Sequence, residues 1–158
     1  MNAPLSRRVE DRLSRWVCFV VAGQEYGLPI ERVQEVLRDA VIEPVPGTQP
    51  VVLGVVNLRG CVVTVLDLRT RLGLAAGQPP ASPADRRIIV LDLGGELFGL
   101  AVDAVAEVLK LADAAIKPAP PVGSADGSAR PAGMVSRDGR LLTLIEPDSL
   151  VQELRCIA

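Results

Sequence analysis

Val51 to Leu68 reads VVLGVVNLRGCVVTVLDL. Two β-branched runs, Val51–Val56 and Cys61–Leu66, flank a polar break at Asn57, Arg59 and Gly60, the pattern of strand, tight turn, strand. Runs this apolar on successive residues predict a hairpin covered on both faces. Arg59 then sits at the tip. A cation on the exposed end of a rigid element is a candidate contact residue, although a solvated turn arginine gives the same pattern.

The hairpin belongs to a chain of 158 residues, room for one domain or for two small ones sharing a core. Hydrophobic residues make up 49% and aromatics 3%, so the interior must be built from Val, Leu, Ile and Ala. With 17 basic and 19 acidic residues, the chain lacks the one-sided field that nucleic acid or an anionic membrane requires. Cys18, Cys61 and Cys156 show no CxxC pairing and there is no histidine, so neither a disulfide framework, a metal site nor a cofactor is expected. The N-terminal MNAPLSRRVEDRLSR lacks the apolar core of a secretory signal, and no apolar run reaches membrane-spanning length. The expected address is cytoplasmic.

Outward from the hairpin, the sequence repeats. Tyr26 to Arg38, YGLPIERVQEVLR, returns as Phe98 to Lys110, FGLAVDAVAEVLK, at a constant offset of 72. Ile42-Glu43-Pro44-Val45-Pro46 is echoed by Ile116-Lys117-Pro118-Ala119-Pro120. The hairpin has its own echo in Gly133 to Ile145, at an offset of 79 and with its turn at Asp138-Gly139. The chain is one unit written twice, with units at about 16–74 and 87–150 and a linker at 75–86.

In the first unit the pattern predicts strands at Trp16–Val21 and Glu25–Leu28. A helix is expected to follow, with Ile30, Val33, Val36 and Leu37 on one face and Glu31, Arg32, Gln34, Glu35 and Arg38 on the other. A short strand at Val41–Glu43, the hairpin, and a helical turn at Asp67–Leu72 closed by Gly73 complete the unit. The second unit repeats the plan with strands near Arg87–Leu93 and Glu96–Leu100, a helix at Val102–Lys110, a loop at Pro118–Pro131 and the hairpin Ala132–Ile145. A C-terminal helix opens at Pro147 and carries Leu150, Val151 and Leu154 on its apolar side. Five closely spaced strands per unit point to a mainly β fold of two small barrels, marginal singly and so expected to share a hydrophobic seam.

Taken in order, YGLPIERVQEVLR, IEPVPG and LGVVNLRGCVVTVLDLR resemble the CheW-like coupling proteins of bacterial chemotaxis arrays, over nearly the whole chain from Trp16 to Leu150. The resemblance implies two packed five-stranded SH3-like barrels and a cytoplasmic adaptor. Such an adaptor joins the tips of methyl-accepting receptors to the regulatory domain of the histidine kinase CheA, in rings that also allow self-association. It places Arg59 at the arginine of the family's NLRG motif and Glu35 at the glutamate of its VQE segment, two residues expected to interact. Cys61 after NLRG and Pro147 before the last helix depart from the family pattern. They leave open whether the array serves flagella, pili or a diguanylate cyclase.

A groove between the barrels, lined by Ile30, Val33, Val102 and Val105 and bordered by Glu35, Asn57 and Arg59, would accept the apolar face of a receptor helix. Glu107 repeats Glu35, but Asp138 stands where Arg59 would, so cation–carboxylate pairing is expected in the first unit alone. As an isolated feature Glu35, four residues after Glu31, reads as one more solvated helix carboxylate, and it is the resemblance that raises it to a site residue. Catalysis is not expected: the G-x-S-x-G, Walker and dinucleotide motifs are all absent, and Cys61 reads as an inert buried thiol. The remaining alternative is a module holding a small apolar ligand between the barrels.

Overall fold

The structure, a computed structural model, describes residues 12–74, 82–118 and 131–151. In chain order the strands are β1 (Leu13–Val21), β2 (Gln24–Pro29), β3 (Val33–Leu37), β4 (Val52–Leu58) and β5 (Cys61–Asp67), followed by a short helix α1 (Leu68–Arg71). The second half gives β6 (Arg87–Leu93), β7 (Glu96–Val102), β8 (Ala104–Ala112), β9 (Pro131–Arg137) and β10 (Arg140–Ile145), and a helix α2 opening at Pro147. The fold is mainly β, as the pattern predicts.

Both amphipathic helices of the sequence reading are replaced by strands. Ile30–Arg32 is a single 3-10 turn and Val33–Leu37 is β3; Val102 ends β7, and Ala104–Ala112 is β8. A helix of two or three turns gains little alone, whereas β-branched Val33, Val36, Val105 and Val108 suit a pleated ladder. β6 and β1 supply the backbone partners. The change of period matters for the site, because Glu35 and Leu37 now share one face of β3 and Gln34 and Val36 are exposed, while a bulge after Val33 leaves that residue against the shared core. The expected strand at Val41–Glu43 shrinks to one bridge between Glu43 and Val55, matched by Lys117 and Met134 in the second unit.

The strands form two five-stranded sheets, ordered β8-β1-β2-β10-β9 and β3-β6-β7-β5-β4. Each sheet takes its first hairpin from one repeat and three strands from the other, so the sheets cross the boundary that sequence draws at 75–86. The joins are the parallel pairings of β2 with β10 and β5 with β7 and the antiparallel pairings of β1 with β8 and β3 with β6. The two sheets have the same strand order once the repeats are interchanged, which makes them pseudo-equivalent.

Alternation along β1 and β6 explains why the halves depend on each other. Trp16 and Cys18 of β1 pack with Val135, Leu142 and Leu144 in a small core of their own sheet, whereas Phe19 and Val21 enter a larger shared core. In β6, Ile88 and Val90 pack with Val56, Val63 and Val65, while Ile89, Leu91 and Leu93 join the shared core. These two strands are therefore covered on both faces. The opening hairpin is so covered only at its base, through Leu66 and Val65. At its tip Val62 is 71% exposed and Cys61 lies open, which corrects the buried reading of both.

Short helices close the seam. Asp67 caps α1 by accepting from the Arg69 N–H at 3.1 Å, and Gly73 follows its end with φ 67°. Leu150 and Val151 of α2 are buried in the shared core; Leu154, Cys156 and most of the 75–86 and 118–131 connections lie outside the described residues. Arg71 of α1 donates to the Ser149 carbonyl of α2 at 3.1 Å. Arg69 reaches across to Asp103, at the end of β7, with Nη2–Oδ2 at 2.6 Å and Nε–Oδ1 at 3.3 Å. The same Oδ2 accepts the N–H of Ala22 in the β1–β2 turn at 2.8 Å. One carboxylate thus ties α1 and both sheets together, and its hydrogen bond holds the Arg69 guanidinium above its ordinary pKa. Asp103→Ala strands a half-buried guanidinium and a backbone donor at once. It is expected to cost about 2–3 kcal/mol of stability, read as a fall in melting temperature of roughly 5–10 °C.

Candidate partner-binding surface

The β4–β5 hairpin turns through Arg59-Gly60, with Leu58 directly opposite Cys61. Both turn residues have positive φ, 50° and 86°, as a two-residue type I′ hairpin turn requires. Asn57 Oδ1 accepts the Gly60 N–H at 2.9 Å, so Asn57 braces the turn. That fixes the direction of the Arg59 side chain. It crosses to Glu35 on β3, the opposite edge strand of the same sheet, with Nη2–Oε2 at 2.6 Å and Nη1–Oε1 at 2.9 Å. The two edges of an ordered row of five strands are thereby clasped together.

Side-chain exposure is 67% for Arg59 and 25% for Glu35. A pair this open contributes only about 0–1 kcal/mol to stability. Its geometric effect is larger, because a two-pronged contact holds a cation at a defined place on a rigid tip.

A second clasp exists where the sequence predicts none. Arg137 Nη1 lies 3.4 Å from Glu107 Oε1, joining β9 to β8, the two edges of the other sheet. The turn residue Asp138, at φ 50°, does occupy the Arg59 position, but the cation stands one residue earlier, at the end of β9. Position-by-position alignment of the repeats looks past it. The signal is a basic residue within one position of the turn together with a glutamate repeated at offset 72.

The four apolar groove residues do not line one groove. Val102 is 2% exposed and belongs to the shared core, and Val33 and Val105 pack against that core from its margin. Ile30 lines a groove of about 440 Å³ with Leu13, Ser14, Arg15, Glu31 and Lys110. Val102, its counterpart in the repeat, lies at the floor of a different cleft of about 480 Å³, with Leu37, Ile42, Leu53, Arg69 and Asp103 on its walls. The two openings are pseudo-equivalent. In the second, however, Asp103 is taken by Arg69, whereas Glu31, its counterpart in the first, has no ion-pair partner within 4 Å among the described residues.

Leu13, Ser14, Arg15, Glu31 and Lys110 are the groove residues that sequence reasoning missed, because β1 begins three residues before the expected Trp16 and because Glu31 and Lys110 fall in segments of helical period that fold as a 3-10 turn and a strand. Of the two cysteines described, Cys61 is exposed beside Arg59 and Cys18 is buried. Burial raises the Cys18 thiol to about 11, so the neutral thiol's contribution to stability is complete below the unfolded value near 9 and falls away as pH rises toward 11.

Comparison with known proteins agrees with this architecture. Residues 15–155 match the family model described as the CheW-like domain. The chain is 34% identical over 134 residues to the chemotaxis protein CheW of Rhizobium meliloti (strain 1021), covering 85% of this chain and 84% of that one. It is 30% identical over 140 residues to the chemotaxis protein CheW of Bacillus subtilis (strain 168), covering 88% and 87%. The crystal structure of the scaffolding protein TtCheW from Thermoanaerobacter tengcongensis superposes with a TM-score of 0.78 at 35% identity, over 88% of each chain. With the repeated unit, the paired sheets and the clasped hairpin already seen, these matches establish that the chain belongs to the CheW-like domain family.

Proposed function

We propose that this protein is a chemotaxis adaptor, a scaffold that couples methyl-accepting receptors to a CheA-type histidine kinase and performs no chemistry of its own. The observation that carries the reading is the clasped hairpin. Arg59 and Glu35 fix a charged, exposed feature on a rigid edge, next to Val62 and Val36, which remain in solvent. Rigid edges with exposed apolar residues suit recognition of another folded domain.

The groove beside Ile30 offers a second surface, shaped for the apolar face of a helix. The receptor tip is assigned to the groove and the hairpin edge together, and the kinase regulatory domain to the remaining sheet ends. The cytoplasm is the compartment where both partners would be met.

A bridging assay tests this. Beads carrying a receptor cytoplasmic fragment are expected to retain the kinase regulatory domain only when this chain is added. Equal retention with and without it would overturn the reading.

A further inference from the structure

The pseudo-equivalent ladders β3–β6 and β8–β1 end differently. Up to one row they correspond: Leu37 opposite Ile88 stands where Leu109 stands opposite Trp16, at the repeat offset of 72. From there β8–β1 runs on through Lys110–Arg15, Leu111–Ser14 and Ala112–Leu13, whereas β3–β6 stops. The row that corresponds to Leu111–Ser14 would have set Asp39 opposite Arg86. Opposite charges facing each other across a ladder attract, yet here the strands part. Asp39 turns away with φ 56°, and neither Asp39 nor Arg86 has an ion-pair partner within 4 Å among the described residues.

The gap between them opens the cleft of about 480 Å³, whose wall is aliphatic, from Leu37, Ile42, Leu53, Ile88 and Ala101. The other charges on its lining are committed. Asp103 is held by Arg69, Asp67 caps α1, and Arg87 donates to the Ala84 and Arg86 carbonyls. We infer that this cleft binds a free aliphatic α-amino acid of about leucine's size, its ammonium on Asp39, its carboxylate on Arg86 and its side chain against the aliphatic wall. A zwitterion supplies both missing partners of the interrupted row at once, through charge-assisted hydrogen bonds. The volume lies in the range of small-ligand pockets, and the lining holds no aromatic ring on which a flat ligand would stack. A peptide sets its two terminal charges a chain length apart and does not match. The cleft shares no lining residue with the Ile30 groove, so the site stands independently of the adaptor reading.

Calorimetric titration of the full chain with L-leucine is expected to show one site with a Kd of about 1 mM or tighter. Two analogues separate the charges: 4-methylpentanoate lacks the ammonium and 3-methylbutylamine lacks the carboxylate, and each is expected to bind about tenfold more weakly or worse. Asp39→Asn keeps a residue that tolerates positive φ, and Arg86→Gln changes an exposed side chain. Both variants are expected to melt within about 2 °C of wild type without ligand and to bind leucine about tenfold more weakly. Absence of saturable leucine binding to the wild-type chain would overturn the inference. Equal binding of 4-methylpentanoate would remove Asp39 from the site and the amino acid with it. Leucine affinity unchanged in both variants would place the ligand elsewhere and overturn it as well.

Discussion

Gly54→Ala is expected to destabilise the protein by about 3–5 kcal/mol, at the upper end for a single small substitution. Gly54 has φ 152°, which a side chain rarely adopts, and a Cβ built there would fall well inside contact distance of the Glu43 carbonyl oxygen and 2.7 Å from its carbon. The neighbours are backbone and have little room to move. They form the two-bond bridge in which Glu43 N–H donates to the Val55 carbonyl at 2.8 Å and Val55 N–H to the Glu43 carbonyl at 2.9 Å. Relief therefore requires breaking the bridge that attaches the segment after β3 to β4. Thermal melting should show a fall of about 10 °C, and a variant melting within about 2 °C of wild type would refute the account. Gly133 is the pseudo-equivalent position, but the first atom its Cβ would meet is the Ile116 side-chain methyl Cγ2, with the Lys117 carbonyl oxygen at 3.0 Å. Alanine should be better tolerated there.

Arg59→Glu is expected to reduce receptor-dependent kinase coupling about tenfold or more, while stability changes by no more than about 1 kcal/mol. The backbone cost of φ 50° at residue 59 is shared by arginine and glutamate, so the substitution isolates the charge. It sets two carboxylates against each other where a guanidinium now spans both Glu35 oxygens. The swapped double variant, Glu35→Arg with Arg59→Glu, separates two roles. Coupling regained by the swap means that the clasp itself shapes the edge, and coupling still lost means that a partner reads the cation at 59. Full coupling by the single variant, or its unfolding, would remove Arg59 from the site.

The order of motifs, the duplication and the alternating apolar runs were legible without coordinates, because each is a local pattern along the chain. So were the four-residue helix after Asp67, set by an aspartate cap and a following glycine, and the turn at Arg59. The missed strands β3 and β8 share one cause. YGLPIERVQEVLR satisfies a 3.6-residue period as well as it satisfies pairing, and nothing nearby in sequence announces that β6 offers Glu35 and Val36 a ladder. Val36 and Val62 likewise read as core from composition alone, yet the pleat turns them outward.

The sequence by itself determined that the molecule is a mainly β unit written twice, with a glycine turn presenting Arg59 at the end of a stiff hairpin. Tertiary structure alone decided that the repeats exchange hairpins, that both sheets are clasped edge to edge, and that Ile30 and Val102 lie in separate clefts. Periodicity reports which residues must leave water; it carries no record of which distant strand will cover them. That choice belongs to the shared core, where Phe19 and Leu66 from one repeat meet Ile89 and Leu100 from the other.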